Sequence, residues 1–446
     1  MTSCFSEHFT YKKLLRFTVP SMVMMVFTSI YGVVDGFFVS NFVGKTPFAA
    51  INLIMPFLMI CGALGFMIGT GGSALVAKTL GEGQHDRANK LFSMLIYLSM
   101  IFGAVISTLG LIFLRPIATY LGAEGEILEN CVLYGRILLP VTPFFMLQNE
   151  FQSFLVAAER PKLGLAVTLI AGGANIMLDA LLVAVFPLGL VGAAVATAVS
   201  QILGGMIPMI FFFTSKKSLL RLGKTVFDGK ALLKSCANGS SEFVTNISMS
   251  VVSMAYNLQL MKIAGENGVA AYGVVMYVSF IFISIFLGYA IGSAPVISFH
   301  FGAQNQTELK SLLKKSLIIN ASFALAITLL AEFGAKPLAL VFVGYDATLF
   351  EITRRALAIY SVSFLLAGFN IFSSAFFTAL NDGFVSASIS FLRTMLFQLV
   401  TVLCLPALLP PARQLDGIWL AITVAELLSL AVSVAFLITK RKKYQY

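Results

Sequence analysis

Charge is what this sequence has least of: Asp, Glu, Lys and Arg make up 11% of its 446 residues, where a soluble domain carries about 25%. A water-soluble globule and a disordered chain both need more, so both are excluded. Tryptophan occurs once and histidine three times. His8, His85 and His300 fall at loops or span ends, and no HExxH, GxSxG or P-loop pattern occurs, so nothing points to an enzyme. The five cysteines, Cys4, Cys61, Cys131, Cys236 and Cys404, make no CxxC or other metal-like spacing. A disulfide framework and a zinc site are therefore not indicated. The N-terminal stretch lacks a short apolar core ending in a small-residue cleavage site, so no removed signal peptide is expected.

What fills the space is apolar: 58% of residues are hydrophobic, 41 of them Phe, and the mean hydropathy is +0.92. A membrane span needs about 20 predominantly apolar residues. Runs of that kind fall near 14–42, 47–77, 91–114, 127–157, 163–186 and 189–213, then near 231–263, 269–298, 312–333, 350–380, 384–408 and 416–438. Apolar and polar residues do not alternate, which argues against a β-barrel. The expectation is an all-α polytopic membrane protein of twelve spans.

The net charge of +10 would suit a nucleic-acid partner, but topology explains it better. Sorted by loop parity, 21 basic residues fall on one side, among them Lys12, Lys13, Arg16, Arg160, Lys162, Lys216, Lys217 and Lys440. Eight, including Lys45, Arg136 and Arg413, fall on the other, and Arg393 lies inside a span. This asymmetry predicts that both termini are cytoplasmic and that no nucleic acid is bound. The longest basic loop lies near the midpoint, which divides the chain into bundles at 1–215 and 231–446 joined by a cytoplasmic linker at 216–230.

The halves resemble each other weakly. A shift of 221 residues lays Gly44–Met55 over Gly265–Met276 and Phe151–Ala158 over Phe372–Ala379. Gly81 falls on Gly302 with the same shift, and Gly72-Ser-Ala74 falls on Gly292-Ser-Ala294 with one of 220. Each half has six spans, so the bundles should be related by a pseudo-two-fold axis along the membrane normal, an arrangement suited to alternating access.

A charged side chain at a span centre costs about 2.5–3.5 kcal/mol on the insertion scale, so buried acids mark function by default. Asp35, Asp179 and Thr197 all lie about 10–12 Å below the outer boundary, and Asn175 shares a helix face with Asp179. Two carboxylates, an amide and a hydroxyl at one level suit a cation or a shared proton, and the residues do not choose between H⁺ and Na⁺. The competing reading is that the acids only hydrogen-bond between helices. Glu242, deep in span 7, and Glu150, about seven residues from the cytoplasmic end of span 4, are secondary ion or substrate contacts. Glu150 is expected to reach polar solvent there. Arg393 and Glu426 read as an ion pair or as snorkelling side chains. Pro20 interrupts span 1 and offers a bend.

With Pro20 and Asp35 in span 1, Asn175-x-x-x-Asp179 in span 5, Gly192-Ala-Ala-Val-Ala-Thr197 in span 6 and the loop Gly81–Ala88, the chain resembles the prokaryotic multidrug and toxic compound extrusion (MATE) family. That resemblance implies export of organic, often cationic compounds driven by inward H⁺ or Na⁺. No cofactor is implied, and the expected setting is a monomer in a bacterial or archaeal cytoplasmic membrane. It implies that Asp35, Asn175, Asp179 and Thr197 form an N-lobe cation site, that Pro20 is the bend and that Glu242 occupies an acidic span-7 position. Asn370 stands where a C-lobe cation site would want an acid. Two alternatives are a lipid-linked oligosaccharide flippase of a related superfamily and a membrane sensor that transports nothing.

Overall fold

The computed structural model describes residues 4–215 and 218–446. Lys216 and Lys217 of the central basic loop, and the side chain of Lys45, lie outside the described residues. The first six spans are α1 (Tyr11–Val43), α2 (Thr46–Gly81), α3 (His85–Tyr120), α4 (Gly125–Ala157), α5 (Pro161–Val185) and α6 (Gly189–Thr214). The next helix is continuous in hydrogen bonding over Gly229–Gly302, 74 residues. At 1.5 Å per residue that is about 110 Å, more than three times the hydrocarbon thickness. Gly265, at φ 61° and ψ −150°, breaks it into α7 (229–264) and α8 (266–302). This backbone is open to glycine and strained for other residues. The sequence reading placed a loop at 264–268, but the chain turns there on one residue.

Spans α9 (Gln306–Val343), α10 (Ala347–Ser361 with Phe364–Ala379), α11 (Gly383–Leu408) and α12 (Pro411–Thr439) complete the chain. The two pieces of α10 meet at 49°, a bend that the apolar run did not announce. The fold is a two-lobe bundle of twelve helices with a pseudo-two-fold axis along the membrane normal. The face bearing both termini and the basic loops is called the basic face below.

Close backbone approaches join the lobes at that face. A Cβ on Gly81 would lie 2.0 Å from the Phe299 carbonyl oxygen, and one on Gly302 would lie 2.0 Å from that of Lys78. The shift of 221 carries Lys78 onto Phe299 and Gly81 onto Gly302. These two contacts are therefore the same contact, made reciprocally across the pseudo-axis. Gly71 meets Gly239 between α2 and α7, and Gly292 meets Thr18 between α8 and α1; these also exchange under that shift. Glycine is required because the helices touch backbone to backbone.

The N-terminal segment adds a clasp over this closure. Phe5 and Phe9 are fully buried, with Phe5 against Phe17 and Phe299 and Phe9 against Phe17 and His300. Phe5 N–H donates to Glu159 Oε1 of the first lobe at 3.0 Å. On the second lobe, His8 Nδ1 lies 2.6 Å from Glu308 Oε2, and Phe9 N–H donates to Glu308 Oε1 at 2.9 Å. Among the described residues, no hydrogen bond joins the lobes nearer the opposite face than Ser29 Oγ to the Phe280 carbonyl, 3.4 Å, about half-way along α1.

The described part of the linker does not hang free. Its chain runs along the start of α3, where Arg221 N–H donates to Asn89 Oδ1 at 2.7 Å and Gly223 N–H to Ser93 Oγ at 3.0 Å. Leu220 is buried beneath it.

Candidate functional site in the first lobe

Small residues set the register that brings the acids together. A Cβ on Gly172 of α5 would lie 2.8 Å from the Tyr31 ring of α1, so the two helices pack closely there. Along that shared face Asn175 follows one turn and Asp179 two turns beyond Gly172 on α5, and Asp35 follows one turn beyond Tyr31 on α1. The Asp35 carboxyl faces both the Asp179 carboxyl and the Asn175 amide. Asp179 is fully buried, Asn175 nearly so, and Asp35 half-buried.

Tyr134 of α4 closes the group, with its hydroxyl beside Thr197 and both carboxylates nearby. Tyr31 reaches Gln148 of α4. Tyr31, Tyr134 and Gln148 were missed by sequence reasoning. Their own sequence carries no charge or motif, and only the packing of α4 against α6 and of α1 against α5 brings them here.

What distinguishes the group is its unmet demand. Among the described residues, Asp35 Oδ1, both Asp179 carboxylate oxygens, Asn175 Oδ1 and Thr197 Oγ1 are buried without a hydrogen-bond partner. An unpaired buried charge is costly, and two adjacent carboxylates cannot both stay ionised without a compensating cation. The set is all oxygen, which suits a proton or a hard cation. Among the described residues, no group of three or more His, Cys, Asp or Glu converges as a metal site. Asp35, Asn175 and Thr197 line a cavity of about 330 Å³ enclosed by α1, α2, α4, α5 and α6. Met55, Met59, Phe66 and Phe145 supply its apolar wall, and Gln148 and Gln201 supply polar points.

Backbone irregularity clusters at the same level. A π-helical segment runs over Ala180–Val185, immediately after Asp179, and another over Val39–Val43, four residues after Asp35. Such segments are rare and are frequent at functional sites.

The sequence profile of the MatE family matches this chain twice, over residues 20–181 and 243–403. Together these matches cover well over half of it. The chain belongs to the MatE family. It is 27% identical over 371 residues to the multidrug export protein MepA of Staphylococcus haemolyticus, covering 82% of each chain. To the MepA of Staphylococcus aureus MRSA252 it is 25% identical over 380 residues, covering 85% of this chain and 84% of that one. Its fold matches the outward-facing structure of a multidrug resistance MATE family transporter with a TM-score of 0.92 at 23% identity, covering 98% and 97% of the two chains. A transporter of the MOP superfamily from Pyrococcus furiosus matches with a TM-score of 0.88 at 22% identity, covering 98% of each chain. MatE proteins are transporters and not enzymes.

The other candidate residues of this MatE protein are placed differently. Pro20 lies within α1, which continues through it as a helix, and its side chain is buried near the basic face. Glu242 is half-buried in α7, with Arg393 as its charged neighbour. Glu150 does not reach solvent as expected; it is fully buried and accepts a short hydrogen bond from Ser99 Oγ of α3. The reason is Gly69, which lets α2 come so near that a Cβ there would lie 2.8 Å from Glu150 Cα. Glu150 is also outside the set that lines the cavity, whereas its neighbours Gln148, Asn149 and Gln152 line it.

In the second lobe, Arg393 and Glu426 form an ion pair, with Nη2 to Oε1 at 2.8 Å, and do not snorkel apart. Asn370 Nδ2 donates to Glu426 Oε2 at 2.7 Å, and Ser433 Oγ donates to Asn370 Oδ1 at 3.0 Å. The constant shift of 221 also fails inside α11. It pairs Asp179, which is 0% exposed, with Val400, which is 47% exposed. The π-helical segment Leu392–Leu396 precedes Val400, and one extra residue turns a helix face by about 100°.

Proposed function

We propose that this protein is a cation-coupled antiporter, using H⁺ or Na⁺, that exports lipophilic and often cationic organic compounds by alternating access. The observation that carries the reading is the Asp35–Asp179 pair, facing each other with Asp35 Oδ1 and both Asp179 oxygens buried and without a hydrogen-bond partner among the described residues. Such a pair favours one bound cation or proton, and it loses that occupant only when something else compensates the charge. Asn175 Oδ1 and Thr197 Oγ1 complete the ligand set, and Glu242 is a secondary contact. MepA proteins are multidrug exporters by name, which supports drug-sized organic substrates here.

In this reading the basic face is cytoplasmic, so the glycine contacts and the N-terminal clasp close the cytoplasmic side. Loading Asp35 and Asp179 with a cation removes their repulsion, lets α1 and α5 close on each other, and shifts α1 about Pro20. The lobes then rock about the glycine contacts. One charge entering down 100 mV supplies about 2.3 kcal/mol, which sustains a gradient of about fiftyfold for an uncharged substrate; a monovalent cation exchanged one for one is driven by the coupling ion's concentration gradient alone. The expected unit is a monomer in a bacterial or archaeal cytoplasmic membrane.

The test is efflux of a fluorescent cation from proteoliposomes under an imposed H⁺ or Na⁺ gradient. Export driven by one gradient and lost in Asp35→Asn is expected. Flux that ignores both gradients overturns the coupling and leaves the sensor reading. A flippase for lipid-linked anions would want free cations in the cavity, and Arg393 is already held by Glu426.

A further inference from the structure

We propose that a basic pocket between α1 and α5, on the outer surface of the first lobe, binds the headgroup of an anionic phospholipid. The pocket measures about 460 Å³ and lies at the basic face, away from the cavity lined by Asp35, Asn175 and Thr197. Four cationic side chains converge on it, Lys13 and Arg16 from α1 and Arg160 and Lys162 from the start of α5. Phe17, Pro20 and Leu163 make its apolar floor.

Internal pairing does not account for this charge. Lys13 Nζ is bonded to Glu7 at 2.6 Å. Glu159, the acid in the lining, accepts the Phe5 N–H at 3.0 Å. Arg16, Arg160 and Lys162 enter no ion pair among the described residues. Three exposed cations gathered around one hollow repel one another, and an anion seated between them relieves that repulsion. Planar guanidinium groups suit phosphate in particular.

The surroundings favour a lipid over a soluble phosphate. Three and seven residues beyond Arg16 on α1 come Val19 and Val23, 43% and 45% exposed. Seven and eight residues beyond Lys162 on α5 come Leu169 and Ile170, 43% and 52% exposed. At those spacings each apolar stripe lies on the same helix face as its cation. Both stripes run from the pocket towards the membrane centre, which is where acyl chains attached to a headgroup in the pocket would lie. Basic pockets between spans at a membrane surface take anionic headgroups by this combination of charge and depth. Because Pro20 is part of the floor, the bound headgroup touches α1 where the helix lacks a backbone donor, and occupancy should favour one geometry of that helix.

The test is native mass spectrometry of the full-length protein in detergent, titrated with phosphatidylglycerol or with phosphatidylcholine of the same chains. Phosphatidylglycerol should be retained in preference, and raising the salt concentration should weaken it without affecting phosphatidylcholine. Each of Arg16→Gln, Arg160→Gln and Lys162→Gln should weaken phosphatidylglycerol binding about fivefold, and the triple variant about a hundredfold. Arg16→Lys should retain most of it. Equal retention of the two lipids, salt-independent retention by the unaltered protein, or undiminished binding in the triple variant overturns the proposal. Displacement of the lipid by an equal concentration of glycerol phosphate also overturns it, because the site would then be one for a soluble phosphate ester.

Discussion

The two lobes share one scaffold and treat buried charge in opposite ways. In the second lobe, Glu426 receives Arg393 Nη2 at 2.8 Å and Asn370 Nδ2 at 2.7 Å. That acid is satisfied within the protein, and a satisfied buried ion pair is part of the architecture. In the first lobe, Asp35 and Asp179 face each other, and among the described residues the Asp179 oxygens have no hydrogen-bond partner. Compensation there has to come from outside and can leave again. Duplication supplied two frames related by the reciprocal Gly81 and Gly302 contacts, and the chemistry then diverged between them.

That contrast can be broken in order of expected effect. Glu426→Gln takes from Arg393 its ion-pair partner and leaves Glu242 as its neighbouring acid, which should cost about 3 kcal/mol, read as a lower unfolding temperature in detergent. Replacing both partners by apolar residues of similar volume should recover most of the loss. If Glu426→Gln instead abolishes coupling at full stability, the second lobe carries ion chemistry and the contrast fails. Asp35→Asn and Asp179→Asn should each lower gradient-driven export of a fluorescent cation by about tenfold or more, measured by proteoliposome efflux, while the protein stays folded. Full activity in both variants would sink the proposed site.

Gly81→Ala and Gly302→Ala should each force α2 and α8 apart at a cost of about 1–3 kcal/mol, seen as increased labelling of a reporter cysteine at the basic face. The two should cost alike, because they are one contact related by the pseudo-axis. A large inequality would show that the scaffold is asymmetric as well. Glu242→Gln should have the smallest effect, a fall in transport of about fivefold or less, worth about 1 kcal/mol. Loss as complete as that of Asp35→Asn would move the primary site to α7.

Much of the fold was legible in advance because crossing a membrane is decided locally. About 20 apolar residues in a row suffice whatever they pack against, and all twelve spans were found that way. What was misread depends on contacts between helices. The turn at Gly265 looks like a loop in composition, and the 49° bend in α10 falls inside an unbroken apolar run. Glu150 was placed within reach of solvent from its position in the span, but burial came from α2 closing over it at Gly69. Asp35, Asn175, Asp179 and Thr197 stood out because a polar residue in lipid is costly and therefore noticeable. Tyr31, Tyr134 and Gln148 cost little in a span and gave no such signal.

The sequence by itself determined that the chain spans a membrane twelve times, that its basic residues gather on one face, and that its halves repeat. Each follows from hydropathy, charge or identity summed along the chain, quantities that need no partner. Only the tertiary structure decided which acids are compensated. Arg393 meets Glu426 across helices α11 and α12, whereas Asp35 meets Asp179 across α1 and α5 with no base between them. The physical reason is that a buried charge takes its meaning from neighbours within a few ångströms, and helix packing brings those neighbours from distant parts of the chain.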